Sequence, residues 1–384
     1  MLYFVTHIYA PDTATTNRYM GFLRSLTQLD IDHVNVSFFP TRAFDRIDDS
    51  TCGLTKYLWP SKLFCCHFLN LLQYVLWAKI LCKSGFLQAN FFHSLKKEDV
   101  VVITNPQDLS FAIKNNRVGY RIYHERTEHP EVSRSWATDK EQKQYLKDCC
   151  KVDGLFVIST TLRQTFINYG VEANRIHIIN MTVDPFRFEG LIKQRCERYI
   201  AYCGTASNTK DGVDDLIRSF SIVANNVKDL KLYIIGKTPD PNEINSNLEL
   251  IKRLGIEDRI VFTGLVKADQ MPQLLKNATA LVLARPNNMQ AQNGFPTKLG
   301  EYLLSENPVI ITKTGDIPLF LKDGFSALLC EPGNCEEIAN KIIWVINNHE
   351  DAMVIGKQGK EIALAHFNCK IEAEKILKVI RDDE

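Results

Sequence analysis

The sequence predicts an α/β protein built from two doubly wound parallel-sheet domains. Three observations predict it. Short apolar runs of strand length alternate with stretches whose apolar residues recur at helical spacing, the pattern of successive βαβ units. The series runs from the N-terminus to Met181 and then restarts at Tyr199. A charge-rich linker near 185–198, with Arg187, Glu189, Lys193, Arg195, Glu197 and Arg198, separates the two series. The chain has 384 residues, enough for two or three domains at roughly 100–200 residues each.

In the first series, LYFVTHIY (2–9) is an apolar run closed by Ala10-Pro11, which reads as a buried strand followed by a loop. Tyr19, Phe22, Leu23 and Leu26 mark a helix over 17–29. HVNVSFF (33–39), the run Val100 to Thr104, and residues 118–123, 154–159 and 175–181 supply further strands. In the second series the strands are 199–203, 230–236, 259–264, 279–284, 307–312 and 327–332. Helices fall near 212–226, 245–254, 269–276, 297–305, 316–322 and 334–347. Crossovers between parallel strands are right-handed. Two such domains place a ligand cleft at the carboxyl ends of their sheets.

Residues 63–82, LFCCHFLNLLQYVLWAKILC, form a long apolar-rich helix. His67, Asn70, Gln73 and Lys79 scatter around its circumference and disfavour a membrane span. Two readings stay open: a helix buried in the first domain, or one that meets a membrane surface. Trp59, Trp77, Lys56, Lys62, Lys79 and Lys83 suit the second.

Composition excludes several classes. Lys plus Arg number 46 against 45 Asp plus Glu, a net charge of +1, which argues against a dedicated nucleic-acid binder. At 45% hydrophobic residues the chain is not a disordered acidic scaffold. Eleven Cys, an odd number without a C-x-x-C, read as thiols of a reducing compartment. MLYFVTHIYAP has no basic leader and reads as a strand rather than a signal peptide. The expected location is the cytoplasm.

No G-x-G-x-x-G follows a strand, and neither a G-x-x-x-x-G-K-[ST] nor a G-x-S-x-G is present. Asp30-Ile31-Asp32 is a D-x-D set between a helix and a strand, and reads as a solvated turn. No metal site is expected. The strongest signal is Asn293-Gly294-Phe295-Pro296-Thr297-Lys298-Leu299-Gly300-Glu301-Tyr302, followed by Asn307-Pro308-Val309-Ile310. A turn precedes a helix starting near Thr297. Free N–H groups there, the Thr297 hydroxyl and Lys298 suit a diphosphate. Glu301, one turn on, suits a ribose diol. The plainer reading is a capped helix with solvated charges.

At these residues the chain resembles the retaining glycosyltransferases of family 4, the glycosyl transferases group 1, which share the two-domain GT-B fold. Glu301 and Pro308-Val309-Ile310 match the family's C-terminal motif. Asn293 stands where the family has its first Glu. Tyr202-Cys203-Gly204-Thr205 and Lys210-Asp211-Gly212 match the family's strand–Gly–Arg turn and its phosphate-binding Lys, with Thr205 in the Arg position. His124, with Glu125 beside it, matches a His that faces the donor sugar; His129 and Glu128 are weaker matches. The first loop, usually Gly-rich, reads Asp12 to Arg18.

The resemblance implies catalytic roles for His124, Glu125, Lys210 and Lys298. It implies donor contacts at Gly204, Thr205, Lys210, Gly236, Val266, Asn293, Phe295, Pro296, Thr297, Lys298, Leu299 and Glu301. Acceptor contacts fall on Thr15, Thr16, Asn17 and Arg18. The expected domains are 1–190 for the acceptor, 191–365 for the nucleotide-sugar, and a helix at 366–384 returning to the first domain. The implied reaction transfers a sugar with retention from a nucleotide-diphosphate sugar, a UDP-sugar by preference, to a saccharide acceptor. No cofactor or metal takes part. Many members extend lipid-linked saccharides at the cytoplasmic face of a membrane. Two alternatives remain at this stage: a nonhydrolysing sugar-nucleotide epimerase and a non-catalytic sugar-nucleotide-binding module.

Overall fold

A computed structural model describes residues 1–9, 14–41, 44, 46, 54–61, 63, 66–82, 84–135, 137–194, 197–238 and 240–383. The chain divides into two compact units, Met1–Asn180 with Cys369–Glu384, and Met181–Asn368. The linker residues 185–198 therefore lie with the second unit rather than at a boundary near 190. There the Lys193 ammonium donates to Ala278 O at 2.8 Å.

Unit 1 holds seven strands: β1 (Leu2–Thr6), β2 (His33–Ser37), β3 (Leu54–Tyr57), β4 (Val100–Ile103), β5 (Arg121–Arg126), β6 (Gly154–Val157) and β7 (Ile176–Ile178). Their order is β3-β2-β1-β4-β5-β6-β7, with every neighbouring pair parallel. β4 is buried at all four residues, which is why its sequence is apolar without alternation. β3, with the sequence LTKY, is too short and too polar to be predicted from periodicity.

β5 is the polar exception, with the sequence RIYHER. Side chains alternate across a strand, so Tyr123 and Glu125 take one face while His124 and Arg126 take the other. The Glu125 face packs with the helix Ala14–Gln28, whose Tyr19, Phe22 and Leu26 join Phe4 and Phe156 in the core. The C-terminal helix Cys369–Asp382 adds Ala373, Ile376, Leu377 and Ile380 to that core. Its buried Glu372 accepts hydrogen bonds from Asn180 N at 2.9 Å and Asn180 Nδ2 at 3.2 Å.

The apolar segment forms a helix over His67–Tyr74 that continues as a π-helix over Val75–Cys82. It is not a core helix. Phe68, Leu72, Leu76 and Ile80 recur every four residues and are 65, 50, 46 and 55% exposed. Among its described side chains the buried ones are Gln73, Ala78 and Cys82. The Gln73 amide satisfies Leu63 N and Ser61 O. Trp59, expected at an interface, is instead buried against Phe44 and Tyr57. Lys56 is exposed. Lys62, Lys83 and the side chain of Lys79 lie outside the described residues. No helix among the described residues is long and apolar enough to cross a membrane.

Unit 2 holds β8 (Tyr199–Cys203), β9 (Lys231–Ile235), β10 (Ile260–Gly264), β11 (Ala280–Leu283), β12 (Val309–Thr312) and β13 (Leu328–Cys330). The order is β10-β9-β8-β11-β12-β13, again all parallel. The strand order reverses between β8 and β11. In an open parallel sheet the crevice at that reversal, outside the carboxyl ends, is where ligands bind.

Candidate active site

The crevice of unit 2 is assembled from turns that only glycine permits. Gly236, after β9, has φ +126°, and a Cβ there would strike Gly204 O in the turn after β8. Gly212 has φ +65° and leaves no room for a Cβ against Ala284 O, just past β11. These close approaches place 204–205, 208–212, 236 and 284–285 around one point.

Two of the expected charged residues meet it differently. Lys210 lies in the short turn Asn208–Asp211, capped by the Ser207 hydroxyl, and its side chain is exposed. Lys298 is inside. Its ammonium donates to Asp211 Oδ2 at 2.5 Å and lies 3.1 Å from the Tyr202 hydroxyl and 4.6 Å from the centre of that ring. Burial raises the Asp211 carboxyl, but the Lys298 ammonium, its hydrogen bond and that of Tyr202 outweigh burial and hold it low. Asp211 and Tyr202, quoted above only as members of matched motifs, have no role legible in the sequence. The available signals were an acid inside Lys210-Asp211-Gly212 and a hydroxyl near the end of an apolar strand.

The helix at Thr297 runs Lys298–Leu304. Lys298 and Tyr302, four apart, share a face against β8, and Cys203 N donates to the Tyr302 hydroxyl at 2.6 Å. Thr297 makes no capping bond, and Leu299 N donates to Pro296 O at 3.0 Å. Glu301 accepts from Arg187, whose other nitrogen donates to Ala268 O at 2.8 Å. Phe295 packs on Phe320 and Phe367, and Leu299 is fully buried, so both serve the core of the unit. Pro296 is buried too. Asn293 is buried and its amide donates back to Met289 O at 3.0 Å. Thr205 is exposed and Val266 half-buried.

In unit 1 the structure joins two expected residues that lie 107 positions apart. Arg18 donates Nε and Nη2 to Glu125 Oε1 at 3.0 and 2.8 Å, and Nη1 to Asn180 O at 2.7 Å. The Tyr19 hydroxyl donates to the other Glu125 oxygen. Arg18 and Glu125 are thus both buried in one network. Thr16 is buried, Asn17 half-buried, and the Thr15 side chain lies outside the described residues.

His124 has no exposed surface. Its Nδ1–H donates to Ile103 O at 2.7 Å, and its Nε2 lies 3.0 Å from the Tyr145 hydroxyl. Burial, then the charges of Arg126 and Arg134, push its pKa down to about 3. That is the setting of a neutral core histidine, not of an imidazole open to a sugar. His129 caps the turn Pro130–Ser133, accepting from Glu131 N at 3.2 Å, and burial lowers its pKa. Asp30 and Asp32 are exposed in their turn. Among the described residues no group of three or more His, Cys, Asp or Glu is placed to hold a metal ion.

A reversed strand order with glycine turns at the reversal is the ligand-binding arrangement of an open doubly wound sheet. Residues 197–348, within the second unit, match the family described as Glycosyl transferases group 1. The chain is 29% identical over 180 residues to N-acetyl-alpha-D-glucosaminyl L-malate synthase of Bacillus anthracis, covering 45% of this chain and 43% of that one. It is 27% identical over 241 residues to mannosylfructose-phosphate synthase of Agrobacterium fabrum, covering 58% and 52%. The match thus spans about half the length of these relatives. Among solved structures, HepE of Anabaena in complex with UDP-glucose superposes with a TM-score of 0.74 at 16% identity, over 99% of each chain. Sucrose-phosphate synthase of Thermosynechococcus elongatus gives 0.74 at 14% identity, over 99% and 98%. These likenesses fix the fold as GT-B.

Proposed function

We propose that the chain is a retaining glycosyltransferase that takes a nucleotide-diphosphate sugar, with UDP as the preferred carrier, in unit 2 and a saccharide acceptor in unit 1. The observation that carries this reading is the crevice at the β8–β11 reversal, where Gly204 lies against the Lys298 ammonium, Gly236 against Gly204 O and Gly212, two residues after Lys210, against Ala284 O. A leaving diphosphate gains negative charge in the transition state. Preorganised donors at that point stabilise it without reorganising. Lys210 is the exposed cation of the crevice turn. Lys298, held by Asp211, fixes the turn from below and reaches a phosphate only by exchanging that partner. Glu301 suits a ribose diol and must release Arg187 to accept it. Attack from the face that the diphosphate leaves gives retention with no side-chain nucleophile, the leaving phosphate helping to take the acceptor proton. The UDP-glucose complex of HepE supports a sugar-nucleotide donor, and the names of the relatives support the joining of a sugar to an acceptor.

The test is titration of UDP into wild type and Lys210→Ala. Loss of one charge-assisted contact is worth about 1.5–3 kcal/mol, which is roughly 10–100-fold in affinity. Equal affinities would remove Lys210 from the site. A donor screen by product mass then names the sugar. Conversion of a donor with no acceptor present would favour an epimerase, and binding without turnover a non-catalytic module.

A lipid-linked acceptor belongs to the same proposal. It is supported by the exposed row Phe68, Leu72, Leu76 and Ile80, apolar surface that monomeric proteins seldom display. Wild type is expected to sediment with anionic vesicles and to release at high salt. Leu72→Asn with Leu76→Asn, and separately the quadruple Ala variant of Lys56, Lys62, Lys79 and Lys83, are expected to stay in the supernatant. Wild type in the supernatant at low salt would favour a soluble acceptor.

A further inference from the structure

The sheet of unit 1 has its own reversal of strand order, between β1 and β4. The crevice outside the carboxyl ends at that point is again the ligand position of an open parallel sheet. His7 follows the last residue of β1, and Asp108 sits in the first turn of the helix Pro106–Asn115, which follows β4. The two side chains meet at the reversal, with His7 Nδ1 2.9 Å from Asp108 Oδ2. A carboxylate only accepts, so the proton belongs on Nδ1 and the lone pair on Nε2. Among the described residues Nε2 has no hydrogen-bond partner. The imidazole is 18% exposed, while the carboxylate has no exposed surface.

The helix does not use Asp108 as its cap. The Asn105 side chain does that, accepting from Gln107 N at 2.8 Å. The second oxygen, Asp108 Oδ1, is buried with no hydrogen bond among the described residues. Burying a carboxylate is costly, and this one has a single hydrogen bond, to a side chain 101 positions away. A histidine that serves only the core is sealed at both nitrogens, as His124 is by Ile103 O and the Tyr145 hydroxyl. His7 keeps one nitrogen open. Its ring stacks on Phe39, with centres 5.0 Å apart and planes at 27°, and Phe39 meets Tyr74 edge-on at 6.5 Å. Both of these rings are half-buried. Aromatic surface around one oriented polar group is the make-up of a small-molecule site. It suits a pyranose, whose C–H face packs on a ring while its hydroxyls donate.

We propose that His7, held by Asp108, receives a hydroxyl of the saccharide acceptor: Nε2 accepts its hydrogen bond while the sugar ring lies along Phe39 and Tyr74. The assignment rests on the reading of unit 1 as the acceptor unit. Asp108 is a positioning residue, which fixes the tautomer of His7 and does not touch the sugar. No bond is made or broken in this role.

Modification of the whole chain by diethyl pyrocarbonate at neutral pH, read by peptide mass, tests it. The reagent acylates an imidazole nitrogen whose lone pair is open. His7 is expected to react, and the sealed His124 to stay unmodified. The methyl glycosides of glucose, galactose, mannose and N-acetylglucosamine, each at high concentration, are the probes. At least one is expected to slow modification of His7 severalfold in wild type. Asp108→Asn is expected to slow modification of His7 about tenfold, because its amide donates to Nδ1 and moves the proton to Nε2, a preference of one hydrogen bond. An Asp108 that only packs would give the opposite, a faster reaction as the pair loosens. An equal or faster rate in that variant overturns the tautomer role. If the variant does not fold, wild type decides. An unreactive His7, or no protection by any of the four glycosides, overturns the assignment and leaves the proposed reaction standing. UDP titration into wild type is read separately. Absence of UDP binding while a glycoside protects His7 would count against the donor site and leave the saccharide site intact.

Discussion

Lys298 Nζ lies 2.5 Å from Asp211 Oδ2, and the Tyr202 hydroxyl lies 2.6 Å from the same oxygen. The three side chains come from the helix after Pro296, the Lys-Asp-Gly turn and β8, so one buried ion pair ties together the pieces of the crevice. Breaking one side of a buried pair costs about 3–5 kcal/mol, because the other charge is left without a partner.

Asp211→Asn and Lys298→Met are each expected to destabilise unit 2 by about that amount. The double variant is expected to lose much less than the sum, since neither member of the pair is then left without the other. Urea denaturation of the four proteins in a double-mutant cycle checks this. Additive losses would mean that the pair contributes no coupling.

Glu301→Gln is expected to weaken UDP binding while leaving the fold intact, the side chain being nearly isosteric. The ribose diol is the stated partner, so a 2′,3′-dideoxyribose analogue is expected to bind both proteins alike. Calorimetry with UDP and the analogue decides. An equal penalty from the analogue in both proteins removes the diol from Glu301.

His124 supplies a pH test of its placement. Its pKa is about 3 in the fold against an ordinary 6.5. Between these values the unfolded chain binds a proton that the folded chain does not, so stability falls as pH drops below 6.5. The slope from this one group approaches ~1.4 kcal/mol per pH unit and its contribution is complete above 6.5. His124→Gln is expected to flatten the dependence in that window. An unchanged slope in chemical denaturation at stepped pH would place His124 in water.

Truncation after Asn368 is expected to unfold unit 1. It removes Ile376, Leu377 and Ile380 from the core, and their burial is worth on the order of 5 kcal/mol. That is comparable to the whole stability of a typical domain, about 5–15 kcal/mol. Loss of near-ultraviolet signal and of protection across β1 and β5, with unit 2 peptides unchanged, is the expected result.

Transferase activity is expected to survive EDTA, because Lys210 and backbone donors are proposed to meet the diphosphate charge. Complete loss, restored by manganese or magnesium, would return attention to the acidic residues.

The sequence by itself determined the order of strands and helices, because a buried parallel strand is an unbroken apolar run and an amphipathic helix repeats every three to four residues. Eleven of the thirteen strands were legible in that way; β5 was read only in part, at 118–123, because its polar end His124–Arg126 breaks the apolar run, and the polar, four-residue β3 was not read at all. Gly204, Gly212 and Gly236 stood out in the sequence only through the family resemblance; that their backbone admits no other residue is set by the tertiary structure. What tertiary structure alone decided was the partner of each charge. Spacing shows that Lys298, Asp211, Arg18 and Glu125 exist, but not that the first two neutralise each other or that the last two meet across 107 positions. Only the sheet register turns His124 inward while leaving Arg126 at the strand end. Only packing turned the apolar face of residues 68–80 outward, because one side of that helix is satisfied by Gln73, Ala78 and Cys82 while Phe68, Leu72, Leu76 and Ile80 stay exposed among the described residues.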